Sequence, residues 1–338
     1  MAKRTNIMLA CFVIGPGRMV VERTSRPVVG DGVLIKTLYC GVCGSDRRQL
    51  ASAEAGKRKI IGHEIAGEVV DASEEFTEWV GRRVGIAPRL GCGTCGPCRR
   101  GHPNICDKLR VFGYQLPGGF AQFVAVPDEA VARGNIVELP RGLDAKVAAL
   151  AEPLSCVLNG LGLSRVERGG SVLVLGAGPM GQMFVIMARS LTQDLYVVEP
   201  DPGRRDFALA HGAKETFASE SGGIPAADVT IVACSNPQAY ELALRAAPPG
   251  GTINLFGGLA EGIRIDSNYL HYRQLTLHGT AGSTPAQFAR ALTALTENPK
   301  LADIITDVVP FRALPGVLSS TEGTGKLSLK ALLDPWKR

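Results

Sequence analysis

Four closely spaced cysteines are the strongest chemical signal in the sequence. Cys92, Cys95, Cys98 and Cys106 are separated mainly by glycine, proline and threonine, which let a backbone fold around one point. Thiolates at this spacing are typical of a closed tetrahedral Zn²⁺ site, and the alternatives are free buried thiols or a disulfide pair. Because four thiolates leave no open coordination position, this site is predicted to be structural, and a catalytic centre must lie elsewhere.

A second group of metal-ligand residue types lies earlier in the chain. His63 follows Cys43 by twenty residues and is itself followed by Glu64. Thiolate, imidazole and carboxylate are the ligands of an open zinc site, in which a remaining position takes water or a substrate oxygen. Taken singly, Cys40 and Cys43 also fit a redox CxxC pair, and His63 fits a buried structural histidine. Together the residues favour the open zinc site.

A glycine-rich segment in the second half predicts a dinucleotide-binding turn. An apolar strand at Val172–Leu175 runs directly into glycines spaced as GxGxxG, which open a long apolar helix. This pattern gives a tight turn, a close approach of backbone to a pyrophosphate, and close contact of helix with strand. The helix N-terminus also favours negative charge. The residues predicted to bind the cofactor here are Gly176, Gly178, Pro179, Met180 and Gly181.

An acidic residue stands where a dinucleotide's ribose is expected. Glu199 ends the next strand, eighteen residues after Gly181, and a carboxylate there would hold the ribose hydroxyls of NAD. Arg204 and Arg205 follow and would instead suit the 2′-phosphate of NADP, while a solvated strand end is the structural alternative. NAD is preferred over NADP, with Glu199 and Arg204 as candidate cofactor contacts.

The two halves of the chain differ in their pattern of apolar residues. From residue 7 to about 40, short apolar runs broken by glycine and proline are typical of strands and hairpins. The stretch 113–127 also alternates between Gly-Pro turns and is predicted to be strand-like. After residue 172, strand-like and helix-like runs alternate, which predicts a doubly wound α/β domain with a parallel sheet.

The spacing of apolar residues changes between these two parts of the chain. Apolar residues recur at helical spacing between Leu143 and Leu154, and Pro153 is expected to end or kink any helix there. The domain boundary is therefore placed at about residues 153–156.

Composition limits the class of protein. With 338 residues, the chain exceeds the length at which one core usually stops growing, so two domains are expected. The charge of +5 is dispersed, without the basic stripe typical of nucleic-acid binding, so no nucleic-acid partner is expected. The broken apolar start is interpreted as a strand, and no membrane span is expected. Nine cysteines, an odd number of which four are assigned to one metal-like cluster, favour a reducing compartment and hence the cytoplasm.

Five motifs in one order carry a family resemblance over nearly the whole chain. They are GVCGSD, GHEIAGEVV, the four-cysteine run, the AEP triplet at 151–153 and GAGPMG. The combination resembles the zinc-dependent medium-chain dehydrogenase/reductases. Within that superfamily the sequence is most similar to the sorbitol (polyol) dehydrogenase-like branch, because alcohol dehydrogenases proper usually have a cysteine near the position of Glu152.

The resemblance implies an α/β fold of two parts. A GroES-like, β-rich catalytic domain would comprise residues 1–153, with a zinc lobe near 91–107, and residues 284–338 would return to it. A Rossmann NAD-binding domain with a doubly wound parallel sheet, residues 154–283, would be inserted between them.

The resemblance also implies the residues of a catalytic zinc site. Cys43 would be a ligand, with His63 and Glu64 beside it and Glu152 as a direct or water-mediated ligand. Cys40 would then be a strand residue that faces the interior.

Proton transfer is implied by the same resemblance. Ser45, otherwise a candidate helix N-cap, would be the first member of the relay, and Glu64 would be a further catalytic residue. Arg48 stands where related enzymes often have a relay histidine, and an arginine cannot readily exchange a proton at neutral pH. We therefore expect Arg47 or Arg48 to contact a cofactor or substrate anion, although a solvated helix face is an equal alternative.

The expected activity is zinc-dependent hydride transfer between NAD(H) and the secondary alcohol or ketone of a polyol, sugar or (amino)cyclitol. An L-threonine-type or sugar-phosphate dehydrogenase of the same superfamily is the first alternative. A non-catalytic zinc- and nucleotide-binding module is an alternative of a different class. A homodimer or homotetramer is expected, joined through strands near INLFGG and LTLHGT.

Overall fold

The computed structural model describes residues 6–218, 223–259, 262–320 and 327–338. These residues fold into two compact units. The first unit contains the chain up to Ser155 and again from Gly282 to Arg338, and the second contains Cys156–Ala281. The chain therefore leaves the first unit once and later returns to it.

The strands are numbered in chain order. They are β1 (Ile7–Gly15), β2 (Arg18–Ser25), β3 (Val33–Gly41), β4 (Lys59–Ile60), β5 (Glu64–Ala72), β6 (Arg83–Ile86), β7 (Arg89–Leu90), β8 (Arg110–Val111), β9 (Phe123–Val126), β10 (Ile136–Glu138), β11 (Val172–Leu175), β12 (Leu195–Val198), β13 (Glu215–Phe217), β14 (Val229–Val232), β15 (Thr252–Leu255), β16 (Thr276–Gly279), β17 (Ile305–Val309) and β18 (Lys330–Leu333).

The α-helices are numbered in the same way. They are α1 (Gly44–Ala51), α2 (Gly96–Arg99), α3 (Asp128–Ala132), α4 (Ala145–Ala148), α5 (Ala151–Ser164), α6 (Pro179–Ala188), α7 (Pro202–Ala210), α8 (Pro237–Ala246), α9 (Ser267–Arg273), α10 (Pro285–Glu297) and α11 (Leu314–Ser319). Short 3₁₀ helices occupy Glu74–Trp79, Pro103–Ile105, Pro299–Ile304 and Phe311–Ala313.

The main sheet of the first unit joins early and late parts of the chain. Its strands follow the order β10, β6, β5, β3, β18 and β17, and β9 also pairs with β3. β18 runs antiparallel to β3, with Leu332 opposite Gly41 and Leu333 opposite Cys40. The returning segment is thus part of the same sheet as β3, which ends two residues before Cys43.

Strand predictions for this unit are partly confirmed. β1 and β2 form the expected antiparallel hairpin, and Cys40 is fully buried in β3. The strand-like interpretation of 113–127 is wrong for most of that stretch, because strand β9 covers only its end. The preceding residues form turns in which a Cβ on Gly118 would lie 2.4 Å from the Gly62 carbonyl oxygen, so the close backbone approach requires glycine.

The second unit contains the predicted parallel sheet. In the described part of this unit the strand order is β13, β12, β11, β14, β15 and β16, and all the pairings are parallel. Every residue of β11 and β14 is buried, as expected for central strands covered on both faces. The order reverses beside β11, so the ends of β11 and β14 flank the switch point at which such sheets bind nucleotides.

Pro153 does not end or kink a helix as predicted. The helical pattern breaks earlier, at residues 149–150 between α4 and α5, and Pro153 is the third residue of α5. Proline is tolerated there because an N–H in the first turn of a helix has no intrahelical acceptor.

The nine cysteines are all free thiols. Within the described ranges, none of the helices combines the length and apolar character needed to cross a bilayer.

Gly67 tests the packing of β5 on β3. A Cβ at this residue would lie 2.4 Å from the Lys36 carbonyl oxygen and 2.5 Å from Cγ2 of Ile35. We expect Gly67→Ala to destabilise the first unit by about 2 kcal/mol and to lower its thermal midpoint by roughly 4–8 °C, measured by circular dichroism. Gly30→Ala is the control, because a Cβ there meets open space. Equal midpoints for the two variants would contradict this packing.

Candidate active site and metal centres

Cys43 lies at the N-cap of α1, two residues after β3 ends. Asp46, the third residue of the helix, is fully buried, and its Oδ2 accepts a hydrogen bond from the Cys43 backbone N–H at 2.9 Å. This contact fixes the backbone of the candidate ligand. The interpretation of Ser45 as an N-cap is wrong, because Cys43 occupies the cap and Ser45 is the second helical residue.

His63 lies between Asp46 and Ser45. Its Nδ1 is 3.3 Å from Oδ1 of Asp46, and its Nε2 is 3.5 Å from the Ser45 hydroxyl oxygen. Burial opposes protonation of His63, but the negative charge of Asp46, with a contribution from Cys43, outweighs burial and raises the pKa of His63. A carboxylate behind one ring nitrogen orients the imidazole and makes the other nitrogen a better metal ligand.

Three donor atoms converge beside this histidine. Sγ of Cys43, a ring nitrogen of His63 and a carboxylate oxygen of Glu64 all lie within 4.8 Å of one another. His63 and Glu64 are buried, and Cys43 is partly buried. The donor types and their convergence fit a zinc ion bound with an open position.

Glu64 is also held by a buried lysine. Nζ of Lys330, the first residue of β18, lies 2.7 Å from Oε1 and 3.0 Å from Oε2 of Glu64. Burial opposes the charge of Lys330, but the attraction of Glu64, Cys43 and Glu152 outweighs it and raises the lysine pKa. A Cβ on Gly41 would lie 1.8 Å from Oε2 of Glu64, so glycine leaves the space that the carboxylate occupies.

Glu152 lies in the first turn of α5 and is buried. Burial raises the pKa of its carboxyl group, and the charge of Glu64 adds to the rise, whereas His63 and Lys330 oppose it. Glu152 therefore interacts electrostatically with His63, Glu64 and Lys330. Among the described residues, it does not belong to the group of three donors that lie within 4.8 Å.

The four cysteines of the lobe form a second group of converging donor atoms, apart from Cys43, His63 and Glu64. Their sulfur atoms lie within 4.8 Å of one another, and Sγ of Cys106 accepts hydrogen bonds from the N–H groups of Cys92 and Lys108 at 3.2 Å each. Hydrogen bonds from the side chain and backbone of Thr94 lower the pKa of Cys92 to about 5. Burial, in contrast, raises the pKa of Cys98 to about 12. The convergence of four sulfur atoms fits a tetrahedral zinc site.

The glycine turn between β11 and α6 has two kinds of glycine. Gly176 has a φ of +93°, and a Cβ on Gly181 would lie 1.9 Å from the Gly176 carbonyl oxygen, so the chain itself requires both. Gly178, at the N-cap of α6, has open space around its Cβ position. Pro179 and Met180 begin the helix, whose backbone N–H groups point toward this space.

Glu199 follows β12, and its side chain contacts the glycine turn between β11 and α6. Its Oε2 accepts a hydrogen bond from the Ala177 N–H at 2.7 Å, and its Oε1 accepts one from the Asp201 N–H at 3.0 Å. The residue is buried, so the interpretation as a solvated strand end is wrong. Arg205 donates to the carbonyl oxygens of Glu199 and Pro200, which ties its guanidinium to the strand end.

The arginines of α1 lie on its outer face. Arg47 and Arg48 are exposed, and Nη2 of Arg47 donates to the Val317 carbonyl oxygen at 3.2 Å. Arg204 lies in the first turn of α7, and its backbone N–H donates a hydrogen bond to Oδ1 of Asp201 at 2.9 Å. Contacts of Arg48 and Arg204 with an anion stay predictions.

Comparison with known proteins identifies the family. Residues 30–138 match the alcohol dehydrogenase GroES-like domain, and residues 179–298 match the zinc-binding dehydrogenase family. L-galactonate-5-dehydrogenase of Escherichia coli K12 is 28% identical over 316 residues, covering 88% of this chain and 91% of that protein. L-threonine 3-dehydrogenase of Pyrococcus horikoshii is 32% identical over 299 residues, covering 81% of this chain and 83% of that protein. The chain belongs to the zinc-dependent medium-chain dehydrogenase superfamily.

A solved structure agrees with this membership. A zinc-binding dehydrogenase from Sinorhizobium meliloti 1021, bound to NADP, has a TM-score of 0.88 and 29% identity, covering 97% of this chain and 99% of that one. The predicted fold class, a GroES-like domain with a Rossmann domain, is confirmed. This medium-chain dehydrogenase is a zinc-dependent oxidoreductase of the alcohol and polyol type.

Sequence reasoning missed three residues around His63. Asp46 and Lys330 are charged and buried, and the aromatic ring of Tyr114 lies 5.9 Å from the imidazole ring. The signal for Asp46 was its place three residues after a candidate ligand at a helix start. Lys330 carried a weaker signal, a lysine in an otherwise apolar terminal strand.

Asp46 is expected to control metal affinity. Asp46→Asn removes the negative charge 3.3 Å from Nδ1 of His63, so we expect zinc at Cys43 and His63 to bind about 10–100-fold more weakly. Competition with a chromophoric chelator measures this affinity, and the four-cysteine lobe should retain its own. Asp31→Asn, at an exposed turn, is the control. An unchanged affinity in Asp46→Asn would show that the carboxylate does not support the ligands.

Proposed function

We propose that this medium-chain dehydrogenase oxidises a secondary alcohol of a polyol, sugar or (amino)cyclitol to its ketone, with NAD as the hydride acceptor. The observation that carries the proposal is the convergence of Cys43, His63 and Glu64, with the Ser45 hydroxyl 3.5 Å from the imidazole. This cluster counts against a non-catalytic binding module, since a closed structural lobe already exists elsewhere in the chain.

Cys43, His63 and Glu64, with Glu152 nearby, would hold the catalytic zinc, and the four lobe cysteines would hold a structural zinc. When bound, the catalytic ion supplies Lewis-acid chemistry that lowers the pKa of an alcohol hydroxyl. The Ser45 hydroxyl oxygen lies 3.5 Å from Nε2 of His63, which supports a role for Ser45 in accepting the alcohol's proton. A bound nicotinamide would supply the hydride acceptor for the alcohol carbon, and Ser45 would pass the alcohol's proton toward solvent.

Arg48 takes a role other than proton transfer. An arginine side chain cannot readily exchange a proton at neutral pH, so Arg48 does not replace a relay histidine. The exposed position of Arg48 on α1 supports contact with an anionic group of the cofactor or substrate.

Glu199 supports NAD as the cofactor. Its buried carboxylate is anchored to the turn that holds Gly176 and Gly178, where ribose hydroxyls would approach and a 2′-phosphate would meet negative charge. The relative from S. meliloti is bound to NADP, and Arg204 would be the phosphate contact if this chain shared that preference.

A threonine-like hydroxy acid is the second candidate substrate. The 32% identity with L-threonine 3-dehydrogenase of P. horikoshii favours it, whereas the 28% identity with L-galactonate-5-dehydrogenase of E. coli favours a sugar acid. Both substrate names describe small polar molecules with a secondary hydroxyl.

We also propose a cytoplasmic homodimer or homotetramer. β16 lies at one end of the parallel sheet, and its residues are exposed or partly buried. An exposed strand edge of this kind can pair with the same edge of a second copy. The nine free thiols support a reducing compartment.

Absorbance of NADH tests the activity directly. The zinc-loaded protein is offered polyols, cyclitols, amino-cyclitols, sugar acids, sugar phosphates and threonine, with NAD and NADP in parallel. We expect turnover of a polyol, sugar or cyclitol with NAD and two zinc ions per chain. One zinc per chain with no turnover would overturn the proposal in favour of a binding module.

Ser45 tests the proton path. We expect Ser45→Ala to lower kcat about 100-fold with little change in KM, because the hydroxyl acts on the alcohol's proton rather than on binding. Ser52→Ala, at the C-terminal end of the same helix, is the control and should retain the parent rate. A Ser45→Ala variant with the parent kcat would remove Ser45 from the relay.

A further inference from the structure

Gln182 is a buried polar residue that has no role in the function derived above. It is the fourth residue of α6 and is 0% exposed. Its Nε2 donates hydrogen bonds to the carbonyl oxygen of Ala177 at 3.0 Å and to that of Arg204 at 2.8 Å. Its Oε1 has no hydrogen-bond partner among the described residues. Both N–H groups of the amide are therefore used, and they alone orient it.

The two acceptors of Gln182 lie in different segments of the second unit. Ala177 belongs to the glycine turn between β11 and α6, whereas Arg204 lies in the first turn of α7. Gln182 therefore connects the turn expected to hold a pyrophosphate with the helix that follows Glu199. Burying an amide is costly unless it is hydrogen-bonded, so these two bonds also compensate for the burial of Gln182.

Glu199 connects the same two segments a second time. Its Oε2 accepts a hydrogen bond from the Ala177 N–H at 2.7 Å, and its Oε1 accepts one from the Asp201 N–H at 3.0 Å. Asp201 in turn accepts a hydrogen bond from the Arg204 N–H at 2.9 Å. The result is a closed ring of contacts that passes through Ala177, Glu199, Asp201, Arg204 and Gln182.

The ring leaves the Glu199 carboxylate able to bind a ligand. A carboxylate has about four lone-pair sites, and the N–H groups of Ala177 and Asp201 use one on each oxygen, so each oxygen keeps one acceptor site. Open space surrounds the Cβ position of Gly178 in the same turn. Two acceptors for a pair of hydroxyls are thus held at a fixed distance from the glycine turn before any ligand binds.

We propose that Gln182 is a positioning residue that fixes the distance between the pyrophosphate site at Gly178 and the ribose site at Glu199. Because the ring is already ordered, a ligand that occupies both sites does not have to order the turn and α7 when it binds. This inference rests on the proposed dinucleotide cofactor, and it names the side chain that aligns the two sites for one ligand.

Gln182→Met tests the inference, because methionine has a similar length and no N–H donor. Isothermal titration calorimetry of the full-length protein gives Kd for ADP-ribose, which spans both sites, and for adenosine, which lacks the pyrophosphate. We expect Kd to rise about 10-fold for ADP-ribose and to change less than about twofold for adenosine, because the Asp201 N–H still holds Glu199. Gln193→Met, at an exposed residue between α6 and β12, is the control and should keep both parent values.

Two results of this comparison would overturn the inference. One is an unchanged Kd for ADP-ribose in Gln182→Met, and the other is an equal rise for both ligands, which indicates general damage to the second unit. A parent protein that does not bind ADP-ribose would overturn the proposed cofactor and the inference with it. The comparison needs no turnover, so failure of the proposed reaction would be seen separately, as silence in the substrate panel from a protein that binds ADP-ribose.

Amide hydrogen exchange of the parent protein, followed by NMR, decides the matter if Gln182→Met does not fold. The Ala177 N–H lies in the turn and the Arg204 N–H lies in α7, and the inference expects one opening event to expose both. Their protection factors should then agree within about tenfold. A larger difference would show that the two segments open independently and would overturn the inference.

Discussion

Four buried or partly buried groups that can carry negative charge lie around His63. Compensating the charge of these groups is the constraint on which the first unit depends. Cys43, Asp46, Glu64 and Glu152 surround the ligand position, while Lys330 is the buried cation beside them. Removing one partner of a buried ion pair typically costs roughly 3–5 kcal/mol, because the other charge is left without compensation. The lysine supplies part of this compensation, and a dication bound beside His63 would supply more.

The topology meets this constraint with contacts that are distant in the sequence. β18 inserts between β3 and β17, so Lys330 reaches a carboxylate 266 positions earlier in the chain. The glycine at position 41 is required on the facing strand because any larger residue would occupy the carboxylate's space. The parallel sheet of the second unit depends on local features instead, since its turn residues and Glu199 lie within one strand–helix–strand segment.

This difference explains what the sequence could predict. The four-cysteine lobe, the glycine turn and the strands beside it were predictable because spacing and periodicity are local properties. Asp46 and Lys330 were missed because their roles arise from a helix cap and a long-range strand pairing. The two wrong predictions have similar causes. Ser45 was expected to be the N-cap of α1, but Cys43 occupies that position. The residues before β9 were expected to form a strand, but they form turns in which glycines contact Gly62 closely.

The return of the chain to the first unit has a consequence for the order of assembly during synthesis. β18 follows every other described element, so the sheet around β3 lacks its neighbour until translation has passed Leu333. The four cysteines lie within fifteen residues and can gather an ion on the ribosome, and the second unit can fold there as well. The group formed by Cys43, His63 and Glu64 is therefore completed last, because Glu64 has no ion-pair partner until Lys330 has been synthesised.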